Sequence, residues 1–122
     1  MITKFANDVF HIDLFVSVCK TFDECKKDVL SKMKGGDFEL HPDTSAFYVV
    51  DGSSNFAIGL IEKVGVLGNL CHESSHITQA IFDRIGMTHS TETDEAYSYL
   101  LQWVFDSGLK ALGKSGYSFY GI

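Results

Sequence analysis

No apolar run in this chain is long enough to span a bilayer. The opening residues, Met1-Ile2-Thr3-Lys4-Phe5-Ala6-Asn7-Asp8, are too polar for a signal peptide. Together these predict a cytoplasmic protein with no membrane partner. Positive charge is scarce: ten Lys and Arg stand against sixteen Asp and Glu, a net charge of −6. No basic run exceeds Lys26-Lys27, and Lys32 and Lys34 are scattered, which argues against a nucleic-acid surface. Cysteine is sparse as well. Cys19, Cys25 and Cys71 are odd in number and form no C-x-x-C pair, so they read as reduced thiols. There is no repeat, low-complexity tract or linker, so residues 1–122 are expected to form a single domain.

What is present suits a packed core. Hydrophobic residues make up 45% and aromatics 13%, which is globular rather than disordered. Residues 8–18 alternate and are rich in Val, Ile and Phe, a strand pattern. Thr21-Phe22-Asp23-Glu24 forms a capping box that opens a helix to about residue 33, stopped by Gly35-Gly36. Strands are expected over 44–50 and 55–62, joined by the turn Asp51-Gly52-Ser53-Ser54. Helices follow over 64–85 and 92–112. The tail, 113–122, reads as irregular or a short edge strand. The order β-α-β-β-α-α predicts an α+β domain, a small sheet with helices on one face.

The chemistry lies in His72-Glu73-Ser74-Ser75-His76, an H-E-x-x-H pentad inside the first of those two helices. Positions i and i+4 share a helix face, so both imidazoles point the same way and can grip one zinc ion. Glu73 then stands where it can deprotonate a zinc-bound water. Such a pentad also arises by chance, so its surroundings decide. Leu67, Leu70, Ile77, Ile81 and Ile85 form a helical stripe, with His72 and His76 roughly opposite and Gly86 as a stop. Cys71 points away from the pair and reads as packing. His11 and His41 read as ordinary.

A catalytic zinc usually keeps three protein ligands and an open position. The next helix opens with Thr91-Glu92-Thr93-Asp94-Glu95, where Thr91 or Thr93 can cap and the acids suit the helix dipole. Tyr97, Leu100, Leu101 and Val104 form its apolar side, and Glu95, Tyr99, Gln102 and Asp106 the other. Glu95 is therefore the leading candidate for third ligand and Glu92 its rival. Simple dipole compensation accounts for either without metal.

At these residues the chain resembles the gluzincin metallopeptidases. H-E-x-x-H, then eighteen residues, then Glu followed by Ala-x-Ser is similar to the spacing of the zinc aminopeptidases of that clan. The histidine-rich metzincin pattern does not fit, because Phe82 stands where its third His would be. The run from Asp94 to Trp103 also resembles a segment of small, single-domain zincin-like proteins encoded by tailed bacteriophages. More loosely, it is similar to the Glu-Ala segment of the small proteases that cut phage-type repressors. The resemblance covers residues 66–106. It implies a zincin-like domain with Zn2+ on His72, His76 and Glu95, and with Glu73 as general base. It departs at Tyr99, where many gluzincins carry an Asp that orients a His ring. Asp83, seven residues after His76, is a candidate for that support.

The resemblance implies a zinc metallopeptidase acting on a peptide or protein, held in extended form along a strand beside the motif helix. Residues 56–61 are the natural candidate strand. Tyr99, Tyr117, Tyr120 and His89 are possible transition-state donors. Two alternatives stand beside this reading. One is a catalytically silent, zinc-stabilised phage protein acting in binding or virion assembly. The other is a metal-free α+β interaction module in which the pentad is accidental.

Overall fold

A computed structural model describes residues 1–34 and 45–118. Four strands and three helices follow in the order β1 (Ile2–Asn7), β2 (Ile12–Cys19), α1 (Phe22–Leu30), β3 (Ala46–Val50), β4 (Asn55–Ile61), α2 (Val66–Arg84) and α3 (Asp94–Lys114). The α+β class expected from the sequence is found. The spatial strand order is β1-β2-β4-β3. β1 and β2 are an antiparallel hairpin, β2 and β4 run parallel, and β3 and β4 are antiparallel.

The two central strands, β2 and β4, alternate between two cores. Ile12, Leu14, Val16 and Val18 of β2 and Phe56, Ile58 and Leu60 of β4 face α2 and α3. Phe15, Cys19, Phe47, Val49, Ala57 and Ile61 face α1 with Cys25 and Val29. Helices therefore cover both faces. The expectation that all helices share one face holds for α2 and α3 and fails for α1. The reason is β2 itself, which is apolar at nearly every position and so needs cover on both sides.

β1 is the element the pattern missed. It is half-exposed throughout and has no apolar alternation to read. The hairpin turn is local: the Asn7 carboxamide oxygen accepts from the amides of Val9 and Phe10, and His11 takes a left-handed φ of 54°. The other boundaries lie close to those expected. Thr21 caps α1 by accepting from the Glu24 amide at 3.3 Å, but α1 stops at Leu30 rather than near 33. Gly35-Gly36 and Thr44, the expected helix stop and strand start, lie outside the described residues, as do His41 and Tyr120. Asp51 organises the β3–β4 turn, accepting from the Ser53 amide and hydroxyl at 2.8 and 2.6 Å. Gly86, at φ 76°, ends α2 as expected. α3 begins after Thr93, whose hydroxyl makes no helix cap and donates to the Thr88 carbonyl instead. It continues through residues expected to be irregular, up to Lys114.

α2 and α3 pack antiparallel. Leu70 lies against Gly108 near one end, and Phe82 meets Tyr97 edge-on at 4.9 Å near the other. α2 covers β4 and β3, while α3 covers β2 and β1. Arg84 fastens the end of α2 to the β3–β4 turn by donating to the Gly52 carbonyl at 2.8 Å. No described helix is long and apolar enough to cross a membrane.

Candidate functional site

The pentad lies in the middle of α2. Leu70, Ile77 and Ile81 point into the sheet and are fully buried, which leaves His72 and His76 exposed on the flank beside β3. Their Nε2 atoms approach to 3.1 Å, and their rings meet edge-on with centroids 4.7 Å apart. Two nitrogens that ligate one tetrahedral zinc at its usual bond length stand about 3.3 Å apart. The pair therefore converges at the separation a shared ion requires. It also satisfies itself without metal, one neutral ring donating and the other accepting.

Tyr48 of β3 stacks on His76, centroids 4.9 Å apart and planes 14° from parallel. Tyr48 lies within the strand expected over 44–50, and nothing in the local sequence signals that it meets His76. Its role comes from β3 lying beside α2, which is a property of strand order.

Glu73 points inward from the same flank and is only 8% exposed. Its Oε2 is enclosed and has no hydrogen-bond partner among the described residues. Burial raises its pKa above the usual carboxylate value, and the nearby His72 and His76 oppose that shift. Burial thus favours the protonated form of an enclosed carboxylate that has one oxygen to spare. The Ser74 hydroxyl is also buried without a partner.

The other predicted site residues lie elsewhere. Glu95 is exposed in the first turn of α3. That turn lies beside Phe82, six positions beyond His76 and about 9 Å further along α2. α3 also packs on the far flank: Cys71 and Ser74 face it across a groove with Ser98, Leu101 and Gln102. α2 thus stands between the His pair and α3. Among the described residues no group of three His, Cys, Asp or Glu side chains is placed to hold a metal.

Asp83 is exposed and accepts from Gln79 at 3.1 Å, so it supports no His ring. Tyr99 is 68% exposed and lies over the β1–β2 turn with Val9 and Phe10. His89 pairs with Asp94 at 2.9 Å and stacks on Tyr97 at 4.0 Å, at the far end of α3. Tyr117 is half-buried against the core on the α2 and α3 side. Cys71 is exposed at the groove rather than packed. β4, expected to hold a peptide, is interior and paired on both edges, so it has no free edge to offer. Among the described strands, the edge strand on the pentad's side is β3.

Two imidazoles thus stand at a separation that fits a zinc ion, and among the described residues no third protein ligand stands beside them. The chain matches no family model, no curated protein and no solved structure.

Proposed function

We propose that His72, Glu73 and His76 form a zinc-dependent hydrolytic centre acting on peptide bonds. One observation carries the reading: an enclosed carboxylate without a partner, next to two imidazole nitrogens that converge at 3.1 Å. Burying an unpaired carboxylate costs stability, and such a cost is tolerated where the group works. When bound, zinc supplies Lewis-acid polarisation of a carbonyl and acidifies water. His72 and His76 would hold it through Nε2. Glu73 accepts the proton of the attacking water and delivers it to the leaving amine. Glu95 is not included in the proposed ligand set, because α2 separates it from the pair. β3 provides the edge along which an extended peptide adds as a further strand, with Tyr48 and Val50 exposed on the pentad side.

The test compares wild type with Glu73→Gln after zinc loading, against an unbiased peptide library read by mass spectrometry. The expected result is cleavage by wild type and a loss of at least ~10²-fold in the variant. Equal cleavage by both proteins would assign the activity to something else.

A second reading is a zinc-stabilised binding protein of the phage-encoded kind, without catalysis. The observation that favours it is the His72–His76 hydrogen bond under the Tyr48 ring, which settles the pair without an open reactive position. Zinc binding with no cleavage anywhere in the library would select it.

A further inference from the structure

On the sheet face away from the pentad, two thiols meet at one hydroxyl. Ser17 Oγ lies 3.4 Å from Cys19 Sγ and 3.5 Å from Cys25 Sγ. Cys19 ends β2 and Cys25 sits in the first half of α1, so the two sulfurs join a strand to the helix that covers it. We propose that Cys19 and Cys25 are a peroxide-sensitive dithiol site that closes to a reversible disulfide between β2 and α1.

The surroundings give the two sulfurs different parts. Cys19 Sγ donates to Asp28 Oδ2 at 3.3 Å, and the Met1 ammonium lies 3.5 Å from the same sulfur. Asp28 also accepts from Ser17 Oγ at 3.0 Å and from the Met1 ammonium at 3.3 Å. Burial works against its charge, yet those donors hold its pKa below the usual value, so it stays an anion beside the Cys19 thiol. The Asp28 side chain is one-third exposed, and Cys19 beneath it is 6% exposed where Cys25 is fully enclosed. Cys25 is enclosed, donating to the Leu60 carbonyl at 3.3 Å and the Ser17 carbonyl at 3.5 Å. Burial pushes its thiol up to about 12. A thiol held protonated is a poor first attacker but serves as the second when its target is beside it.

The steps balance. Cys19 sulfur attacks one peroxide oxygen and the O–O bond breaks. The Cys19 proton leaves with the other oxygen as water, and Cys19 becomes a sulfenic acid. Cys25 sulfur then attacks the Cys19 sulfur. The S–O bond breaks as the S–S bond forms, and the departing hydroxide takes the Cys25 proton as water. Two thiols are oxidised and one hydrogen peroxide is reduced to two waters. A dithiol reductant reverses the bond.

The experiment treats native protein carrying Cys71→Ser, which removes the exposed third thiol, with one equivalent of hydrogen peroxide at neutral pH. Remaining thiols are alkylated in denaturant. Trypsin then cuts after Lys20 and Lys26, which separates the two cysteines for mass spectrometry. The expected result is near-complete loss of both alkylated peptides and a joined pair lighter by two hydrogens, reversed by dithiothreitol. Cys25→Ser is expected to leave Cys19 as a sulfenic acid captured by dimedone. Three results would each overturn the proposal: both cysteines still alkylated, Cys19 advanced to sulfinic acid with no link, or a link that forms equally fast in urea. The parent measurement stands even if Cys25→Ser does not fold.

Discussion

At the scale of the residue, two buried carboxylates have opposite consequences. Glu73 has its pKa raised, so the folded state holds the proton more tightly than the unfolded chain does. Its contribution is therefore fully present below the ordinary Glu pKa and is lost as pH rises through the raised value. In metal-free protein at neutral pH, Glu73→Gln removes an enclosed charge. It is expected to stabilise the fold by about 1 kcal/mol, seen as a higher urea midpoint with an unchanged slope. A fall in stability would mean that the carboxylate has a structural partner. Asp51 is the reverse case. Burial opposes its charge, but donors on Ser53, Lys34 and Asn55 outweigh that and hold its pKa at about 2. Its contribution is present above the ordinary Asp pKa and is lost as pH falls towards 2. Asp51→Ala is expected to cost about 2 kcal/mol at neutral pH and much less below pH ~3. Urea denaturation at the two pH values measures the difference.

At the scale of the element, the flank on which each helix packs decides what it can contribute. A Cβ at Gly108 would come within 2.3 Å of Leu70, itself fully buried between α2 and the sheet. Glycine lets α3 press against α2 there, on the side away from the His pair. Gly108→Ala is expected to cost about 1–3 kcal/mol by overpacking. It should leave zinc affinity unchanged, because the pair faces β3. A parallel loss of zinc affinity, measured by competition with a chelating dye, would show that α3 does reach the site. Tyr48 marks the other flank. Its ring on His76 is a contact between α2 and the edge strand, and it fixes one ring of the pair before any ion arrives. Helix spacing made the His pair legible in the sequence, because i and i+4 lie together in any α-helix. Glu95 was equally well spaced, yet its position depends on which flank of α2 receives α3, and no local pattern records that.

At the scale of the whole molecule, the proposed zinc binding would be linked to folding. A ligand held only by the native state stabilises it by about 2.7 kcal/mol at a hundredfold excess over Kd. Zinc is therefore expected to raise the melting temperature of wild type and to leave His76→Ala unmoved. Equal shifts in both proteins would place the metal elsewhere. The dithiol site belongs to the opposite face of the sheet, against α1, and Cys71→Ser is expected to leave that zinc-linked shift in place. Legibility followed how local each feature is. The α1 cap at Thr21, the Asp51 turn, the Gly86 stop, the span of β4 and the adjacency of His72 and His76 rest on contacts within a few residues, so the sequence determined them. β1 escaped because a half-solvated edge strand needs no apolar alternation. Four things were decided only by tertiary structure: the interior place of β4, the covering of both sheet faces, the stacking of Tyr48 on His76, and the separation of Glu95 from the pair. Each depends on strand order and on the flank chosen by a helix. Those choices come from burying two apolar faces at once, a condition on the whole chain that no window of residues contains.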